Sequence, residues 1–134
     1  MRDFFKGEME EITKDPNNQD WEIISYHIKL PPFFIMEFKN YVNWYWISFV
    51  QILSEDFIRE FKDYVNWRNI SFYQSLSQDF IREFKDRVNW ADISFEQKLS
   101  KEFIVEFIDK IDFRLILMND YISQEIKDYC RMFL

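Results

Sequence analysis

Apolar side chains recur three and four positions apart between Ser54 and Val65, which is the spacing of one face of an α-helix. The apolar positions are Phe57, Ile58, Phe61 and Val65, and the charged positions between them are Arg59, Glu60, Lys62 and Asp63. This pattern predicts an amphipathic helix from about Ser54 to Val65. A second, shorter helix is predicted from about Asn66 to Ser75, because Trp67 and Ile70 lie on one face of it.

The same pattern returns after 23 residues. The string DFIREFKDYVNW begins at Asp56, and its near-copy DFIREFKDRVNW begins at Asp79. Without any gap, the period defines repeats that begin at Leu30, Leu53, Leu76, Leu99 and Ile122. The fifteenth position of successive repeats holds Trp44, Trp67, Trp90 and Phe113, and one period earlier stands Trp21. Such a fixed period is typical of a helical repeat array.

Each repeat carries two helix starts, because Asn, Asp and Ser accept hydrogen bonds from the free amides of a first helical turn. The predicted caps of the second helices are Asp20, Asn43, Asn66, Asn89 and Asp112. Those of the first helices are Ser54, Ser77, Ser100 and Ser123. In the Leu30 repeat, Pro31 and Pro32 occupy the helix start, where a missing amide costs little.

A pair of short helices cannot bury its apolar face alone, so neighbouring repeats must complete the core. We therefore predict an all-α fold, an α-helical repeat solenoid of about ten short helices in helix-turn-helix units with a period of 23. The chain, 1–134, is predicted to be a single helical-repeat domain. It comprises a divergent N-terminal cap (1–29), four repeats (30–121) and a C-terminal capping helix (122–134).

Composition agrees with this fold and narrows the function. One glycine and three prolines leave little turn chemistry for β-hairpins. The net charge of −7 argues against direct binding of nucleic acid, whose phosphates attract Lys and Arg. A single cysteine excludes an internal disulfide, and no apolar segment follows a basic start. We therefore expect a cytoplasmic protein that neither binds nor spans a membrane.

The pattern NW..IS......LS.DFI.EF resembles short tandem repeats in mostly uncharacterised proteins of giant viruses and phages. The resemblance covers residues 20 to about 126 and is best in the repeats that begin at Leu53 and Leu76. It implies an α-helical repeat array and a viral source, with the host cytoplasm as the location, and it says little about activity. The Leu30 repeat lacks the Ser and Asp of LS.DFI, and the Leu99 repeat has Asp112-Phe113 in place of Asn-Trp. Both departures suggest specialised or capping repeats.

The sequence offers no catalytic constellation. The only histidine, His27, and the only cysteine, Cys130, lie more than four repeats apart, so a thiol–imidazole pair is not expected. We predict a surface His27 and a half-buried, structural Cys130. No histidine cluster, cysteine pair or glycine-rich loop has the spacing of a metal or phosphate site. The prediction is therefore a non-enzymatic protein with no cofactor.

Other recurring side chains are assigned structural roles. The carboxylates Glu60, Glu83 and Glu106 are expected on a solvated face, and Arg82 is spaced for an ordinary surface pair with Asp86. The glutamines at 51, 74 and 97 are expected to bond backbone between layers. Burial at equivalent places in successive layers is predicted for Trp67, Trp90, Ile70, Ile93, Phe61 and Phe84.

One repeat departs from this surface pattern. Where its neighbours are polar, the repeat at Leu30 is apolar and aromatic, which is the composition of protein interfaces. The predicted partner-binding residues are Phe33, Met36, Tyr41, Tyr45, Trp46 and Ile52. Two interpretations stay open here. The surface binds a partner or a second copy, or the N-terminal segment covers it through Phe4, Phe5, Met9 and Ile12.

We predict a protein-binding module, and the viral resemblance implies an inhibitor of a host protein, including a defence protein. Two alternatives remain. One is an acidic nucleic-acid mimic that blocks a nuclease, and the other is a structural homo-oligomer. Salt dependence separates mimicry from aromatic binding, because exposed charges are screened within about 8 to 10 Å at moderate ionic strength.

Overall fold

A computed structural model describes all residues from Met1 to Leu134. The chain forms two compact units, an N-terminal half (Met1–Asn66) and a C-terminal half (Trp67–Leu134). The N-terminal half contains α1 (Lys6–Lys14), α2 (Trp21–His27), α3 (Pro32–Glu37), α4 (Trp44–Val50) and α5 (Glu55–Glu60). The C-terminal half contains α6 (Trp67–Tyr73), α7 (Gln78–Glu83), α8 (Trp90–Glu96), α9 (Lys101–Glu106), α10 (Phe113–Met118) and α11 (Gln124–Cys130).

All eleven helices are short, and there is no β-strand. Two 3₁₀ turns, Pro16–Asn18 and Arg131–Phe133, complete the regular structure, and one isolated bridge pairs Arg2 with Ile28. Second helices of successive repeats pack together, α2 on α4 in one half and α6 on α8 and α8 on α10 in the other. The predicted all-α fold of stacked helical repeats is confirmed within each half. That the whole chain forms one domain stays a prediction.

The predicted caps Asp20, Asn43, Asn89 and Asp112 each accept a hydrogen bond from an amide in the first turn of their helix. Asn43 and Asn89 accept from the amides of Trp46 and Asp92. The serines Ser54, Ser77, Ser100 and Ser123 each cap a helix in the same way. Pro31 and Pro32 open α3 as expected. Cap chemistry therefore sets the start of most helices in both halves.

The predicted end of the first helix was wrong. The helix expected to reach Val65 ends at Glu60, because Phe61 takes φ −104° and ψ 28°. The amides of both Tyr64 and Val65 then bond to the carbonyl of Phe61, which tightens the chain into a turn. No residue has a positive φ, so these turns need no glycine.

The core is built from the same positions of successive repeats. Phe57, Ile58, Phe61 and Val65 are all buried, as the amphipathic pattern predicts. Complete burial is shared by Phe34, Phe80, Ile58, Ile81, Ile47, Ile70, Ile93 and Ile116. The repeats that begin at Leu30, Leu53, Leu76 and Leu99 therefore each bury an aromatic and two isoleucines.

Buried glutamines join one layer to the next through the backbone. The Gln97 amide nitrogen donates to the carbonyls of Ser71 (2.9 Å) and Gln74 (2.7 Å), and its oxygen accepts from the Leu76 amide (3.0 Å). Gln51 makes the same three bonds to Ser25, Ile28 and Leu30 in the N-terminal half. The predicted role of these glutamines is confirmed for both.

Buried serines form a second link that the sequence did not reveal. Ser71 donates to the Trp67 carbonyl (2.7 Å) and accepts from the Asn89 amide (2.9 Å), so it fixes the next helix start. Ser94 and Ser48 repeat both bonds.

The tryptophan column is less buried than predicted. Ile70, Ile93, Phe61 and Phe84 are buried as expected. Trp67 and Trp90 are only half-buried, because each lies across the edge of the core. The Trp90 ring packs on Phe103 and Phe107 with centroids 6.2 and 5.0 Å away, and its indole nitrogen donates to the Lys85 carbonyl (2.9 Å). The column therefore closes the core at the surface rather than filling it.

Candidate functional site

Four aromatic side chains on α2 and α4 form a cluster at the surface of the N-terminal half, which we call the aromatic surface: Tyr26, Tyr45, Trp46 and Phe49. Tyr26 and Tyr45 are exposed, and Trp46 and Phe49 are half-buried. The Trp46 ring lies at its centre, with centroids 4.7 Å from Tyr26, 4.9 Å from Tyr45 and 5.6 Å from Phe49. All three contacts are edge-to-face. Tyr45 keeps 47% of its surface exposed.

The local fold explains why these rings point outward. Asn43 starts α4, and the next turn buries Ile47 and Ser48 against the core. Tyr45 and Trp46 precede these buried positions and lie on the other side of the seven-residue helix. The equivalent residues in the C-terminal half are Arg68-Asn69 on α6, Ala91-Asp92 on α8 and Arg114-Leu115 on α10. Tyr45 and Trp46 thus place aromatic side chains at positions where the other repeats have none.

Two carboxylates border the aromatic surface. The Trp46 indole nitrogen donates to Glu22 at 3.4 Å, and Asp20 caps α2 by accepting from the Ile23 amide at 3.1 Å. A cavity of about 180 Å³ lies between these groups, lined by Asp20, Glu22, Ile23, Tyr26, His27 and Trp46. Sequence reasoning missed Tyr26 and Glu22, because their contact with Trp46 spans about one repeat.

Phe33 and Ile52 lie elsewhere in the N-terminal half, in a groove of about 530 Å³. Its other lining residues include Met1, Phe4, Met9, Pro31 and Pro32. Phe4 packs edge-on against the core ring of Phe34 at 4.7 Å, and Ile12 is buried. Ile52 nevertheless remains 91% exposed. The N-terminal segment therefore closes the core beneath this repeat and leaves its outer residues uncovered.

The six predicted partner-binding residues do not form one continuous site. Tyr45 and Trp46 belong to the aromatic surface, whereas Phe33 and Ile52 line the groove. Met36 is exposed on α3. Tyr41 packs on the Trp21 ring at 5.5 Å, in the role that Tyr64 has on Trp44. Tyr41 is thus part of the recurring aromatic edge of the repeats.

The histidine and the cysteine occupy different halves. His27 is exposed, as predicted, and its ring meets Tyr26 edge-on at 4.7 Å. Cys130 is fully buried rather than half-buried, because α11 turns it into the core. Burial raises the pKa of the Cys130 thiol, so the thiol stays protonated and poorly nucleophilic. No group of three or more His, Cys, Asp or Glu side chains has the geometry of a metal site.

The charged face of the first helices contains an ion pair between repeats that the sequence did not indicate. Arg82 was expected to pair with Asp86, but it pairs with other carboxylates. It contacts Asp79 on its own helix at 2.7 Å and Glu106 on α9 at 3.0 Å. Both carboxylates hold the Arg82 guanidinium in place. The hydrogen bond from Arg82 to Glu106 is the main reason why the pKa of Arg82 is raised, and Asp79 adds to the rise. Glu106 is exposed, as predicted for the carboxylate row, and repeat stacking also brings the Arg82 guanidinium beside it.

Asp92 is the one carboxylate with a buried oxygen that lacks a hydrogen-bond partner. Desolvation raises the pKa of Asp92, and the Arg68 guanidinium, 3.6 Å away, opposes that rise. Asn69 occupies the equivalent place one repeat earlier. The same position of the repeat therefore holds a neutral amide in one repeat and a partly buried carboxylate in the next.

Comparisons with protein-family models, with curated proteins and with solved structures return no significant match. The resemblance to viral and phage repeats stays a prediction. None of the helices combines the length and the apolar character needed to cross a membrane. Evidence for function comes therefore from the geometry of the surface itself.

Proposed function

We propose that this protein is a non-enzymatic protein-binding module and that the aromatic surface is its binding site. The observation that carries the proposal is the cluster of Tyr26, Tyr45, Trp46 and Phe49, set on two rigid helices. At the Tyr45 and Trp46 positions the next two repeats hold Arg68-Asn69 and Ala91-Asp92. A scaffold that tolerates polar residues there does not require aromatic ones for folding.

Side-chain chemistry favours a protein as the ligand. Tyr and Trp dominate binding energy at protein interfaces, because they bury a large apolar area at little conformational cost. Trp46 is held by Glu22 and by three ring contacts, so it loses little freedom when a partner binds. The surface is thus ordered before it meets its ligand.

The narrower proposal, an inhibitor of a host defence protein in the host cytoplasm, rests on the resemblance to viral and phage repeats. An acidic nucleic-acid mimic is a weaker alternative. Asp56 and Asp79 are almost fully exposed, which suits mimicry, but Arg59 and Arg82 pair with them and reduce the local negative field.

Affinity capture from a lysate of the natural host cell tests the proposal. The bait is the wild-type protein or the Tyr45→Arg/Trp46→Asn variant, which installs the residues of the next repeat. Tyr121→Asn is the matched control, because Tyr121 is an exposed tyrosine of the C-terminal half. We expect the same partner with wild type and control, and its loss with the double variant.

Sedimentation velocity on the same three proteins tests for a second copy as the partner. Circular dichroism checks that the double variant keeps its helical content and melts cooperatively. A folded double variant that captures the partner normally would contradict the proposal. Capture that disappears at moderate salt with all proteins, and does not depend on Tyr45 and Trp46, would favour the mimic instead.

A further inference from the structure

The cavity beside Trp46 has the shape of a corner with two aromatic walls. The Trp46 and Tyr26 rings meet at 70°, with centroids 4.7 Å apart, and Tyr26 is 38% exposed. The cavity of about 180 Å³ has room for a single side chain rather than for a folded element. Aromatic faces attract cations, with Trp the strongest of the aromatic residues.

The charged groups of the corner are both acidic. Asp20 and Glu22 line it together with the His27 ring, and no lysine or arginine does. Asp20 accepts one hydrogen bond, from the Ile23 amide, and Glu22 accepts one, from the Trp46 indole. Neither carboxylate is in an ion pair, so each retains acceptor capacity beside the rings.

The chain itself provides one example of a cation that contacts both a ring and a carboxylate. In the C-terminal half, the Arg82 guanidinium lies 5.2 Å from the Phe103 ring centroid and 3.0 Å from the Glu106 carboxylate. One planar group thus contacts a ring and an acid together. The corner at Trp46 offers the same two components, and no arginine of this chain fills it.

A guanidinium fits these components better than the other biological cations. It stacks on aromatic rings and carries N–H donors in a plane that matches a carboxylate. A lysine ammonium is compact and strongly hydrated, and a quaternary ammonium has no donor for Asp20 or Glu22. We propose that the corner formed by Trp46, Tyr26, Glu22 and Asp20 binds an arginine side chain of the partner protein. This inference rests on the proposed function, because it names the group that the partner supplies.

The probe is the peptide acetyl-Gly-Arg-Gly-amide, titrated into ¹⁵N-labelled protein. The readout is the indole N–H signal of Trp46, which the Trp46→Phe variant identifies by its loss. We expect a saturable shift of this signal. The peptide with citrulline, a neutral isostere of arginine, should bind about tenfold more weakly, from the lost cation–π and ion-pair contributions.

Two variants localise the effect. Glu22→Gln keeps an acceptor for the indole and removes the charge, so it should weaken arginine binding about threefold to fivefold. Glu37→Gln is the matched control, because it makes the same charge change at an exposed site on α3 and should leave binding unchanged. Equal binding of the citrulline peptide, or equal effects of the two variants, would overturn the inference.

The failure of this inference is distinguishable from the failure of the proposed function. Suppose that a captured partner depends on Tyr45 and Trp46 but binds Glu22→Gln as tightly as wild type. Protein binding then stands, and the arginine proposal is overturned. Conversely, the Trp46 indole signal could shift selectively with the arginine peptide while the protein captures no partner and does not self-associate. That result would support arginine binding at the corner and refute the proposal that the protein is a protein-binding module.

Discussion

The buried glutamines give the sharpest test of how the repeats are joined. Gln97→Met replaces a side chain by an apolar one of similar length. The change removes three hydrogen bonds, to the Ser71 carbonyl, the Gln74 carbonyl and the Leu76 amide, and it adds no cavity of note. Because the site is 4% exposed, water cannot replace these bonds without opening the layer.

The expected cost follows from the groups left unpaired. A buried polar group without a partner costs about 1 to 3 kcal/mol, and neighbouring losses are not additive, so we expect about 2 to 5 kcal/mol in all. At about 3 °C of Tm per kcal/mol for a chain of this size, the melting temperature should fall by roughly 6 to 15 °C. Gln97 is therefore expected to rank with core positions although it is polar.

Thermal and urea unfolding, followed by circular dichroism, provide the measurement. The matched control is Gln124→Met, because Gln124 is exposed on α11 and bonds only to Asp128 on its own helix. The control should change stability by less than about 0.5 kcal/mol. If Gln97→Met and Gln124→Met melt alike, the glutamine links do not hold the layers together and the reasoning is refuted.

Three further predictions concern single side chains. Trp90→Phe should lower the free energy of unfolding by about 0.5 to 1.5 kcal/mol, because the variant loses the hydrogen bond to the Lys85 carbonyl but keeps a ring at the edge of the core. An unchanged midpoint of urea unfolding would argue against a stabilising role for that hydrogen bond. Asp92→Asn, which copies Asn69, should raise the Tm at neutral pH, because the folded-state pKa of Asp92 is raised and its ionised form therefore destabilises the fold. That gain should shrink as the pH falls through the raised pKa, and a gain that grows on acidification would contradict the desolvation argument. Cys130 should react with a thiol reagent only at the rate of unfolding, and rapid labelling of the native protein would show that the thiol is not buried.

Local chemistry made most of the fold predictable. The caps at Asn43 and Ser77 depend on side chains that bond within three residues, so the sequence pattern is enough to place them. The inner face of the first helix was read correctly because Phe57 and Ile58 recur at helical spacing. The helix end was not predicted, because nothing in Phe61 or Tyr64 themselves marks a turn.

Contacts between repeats escaped prediction for a physical reason. Ser71 bonds to Asn89, 18 positions away, and Arg82 to Glu106, 24 positions away, so both depend on how the layers stack. Asn119 takes the glutamine role one position early, with the shorter side chain reaching the Ser94 and Gln97 carbonyls. The period alone points to Asp120 and therefore misses it.

The candidate site was predicted in part. A surface change at Tyr45 and Trp46 is visible in the sequence because the repeats supply their own comparison. The partial burial of Trp46 and its contacts with Tyr26 and Glu22 were not predicted, because these contacts form between the second helices of neighbouring repeats. Phe33 and Ile52, which the sequence groups with Tyr45 and Trp46, line a separate groove beside the N-terminal segment.

Photo-crosslinking from the aromatic surface tests the central claim most directly. Benzoylphenylalanine replaces Tyr45 in one protein and Glu102 in a second, since Glu102 is exposed on α9 in the C-terminal half. Both proteins are irradiated in a lysate of the cells in which the protein is naturally made, and crosslinked products are detected by mass spectrometry. The account predicts a discrete adduct with a protein, or with a second copy, from position 45 and none from position 102. No adduct from position 45, or the same adducts from both positions, would contradict it.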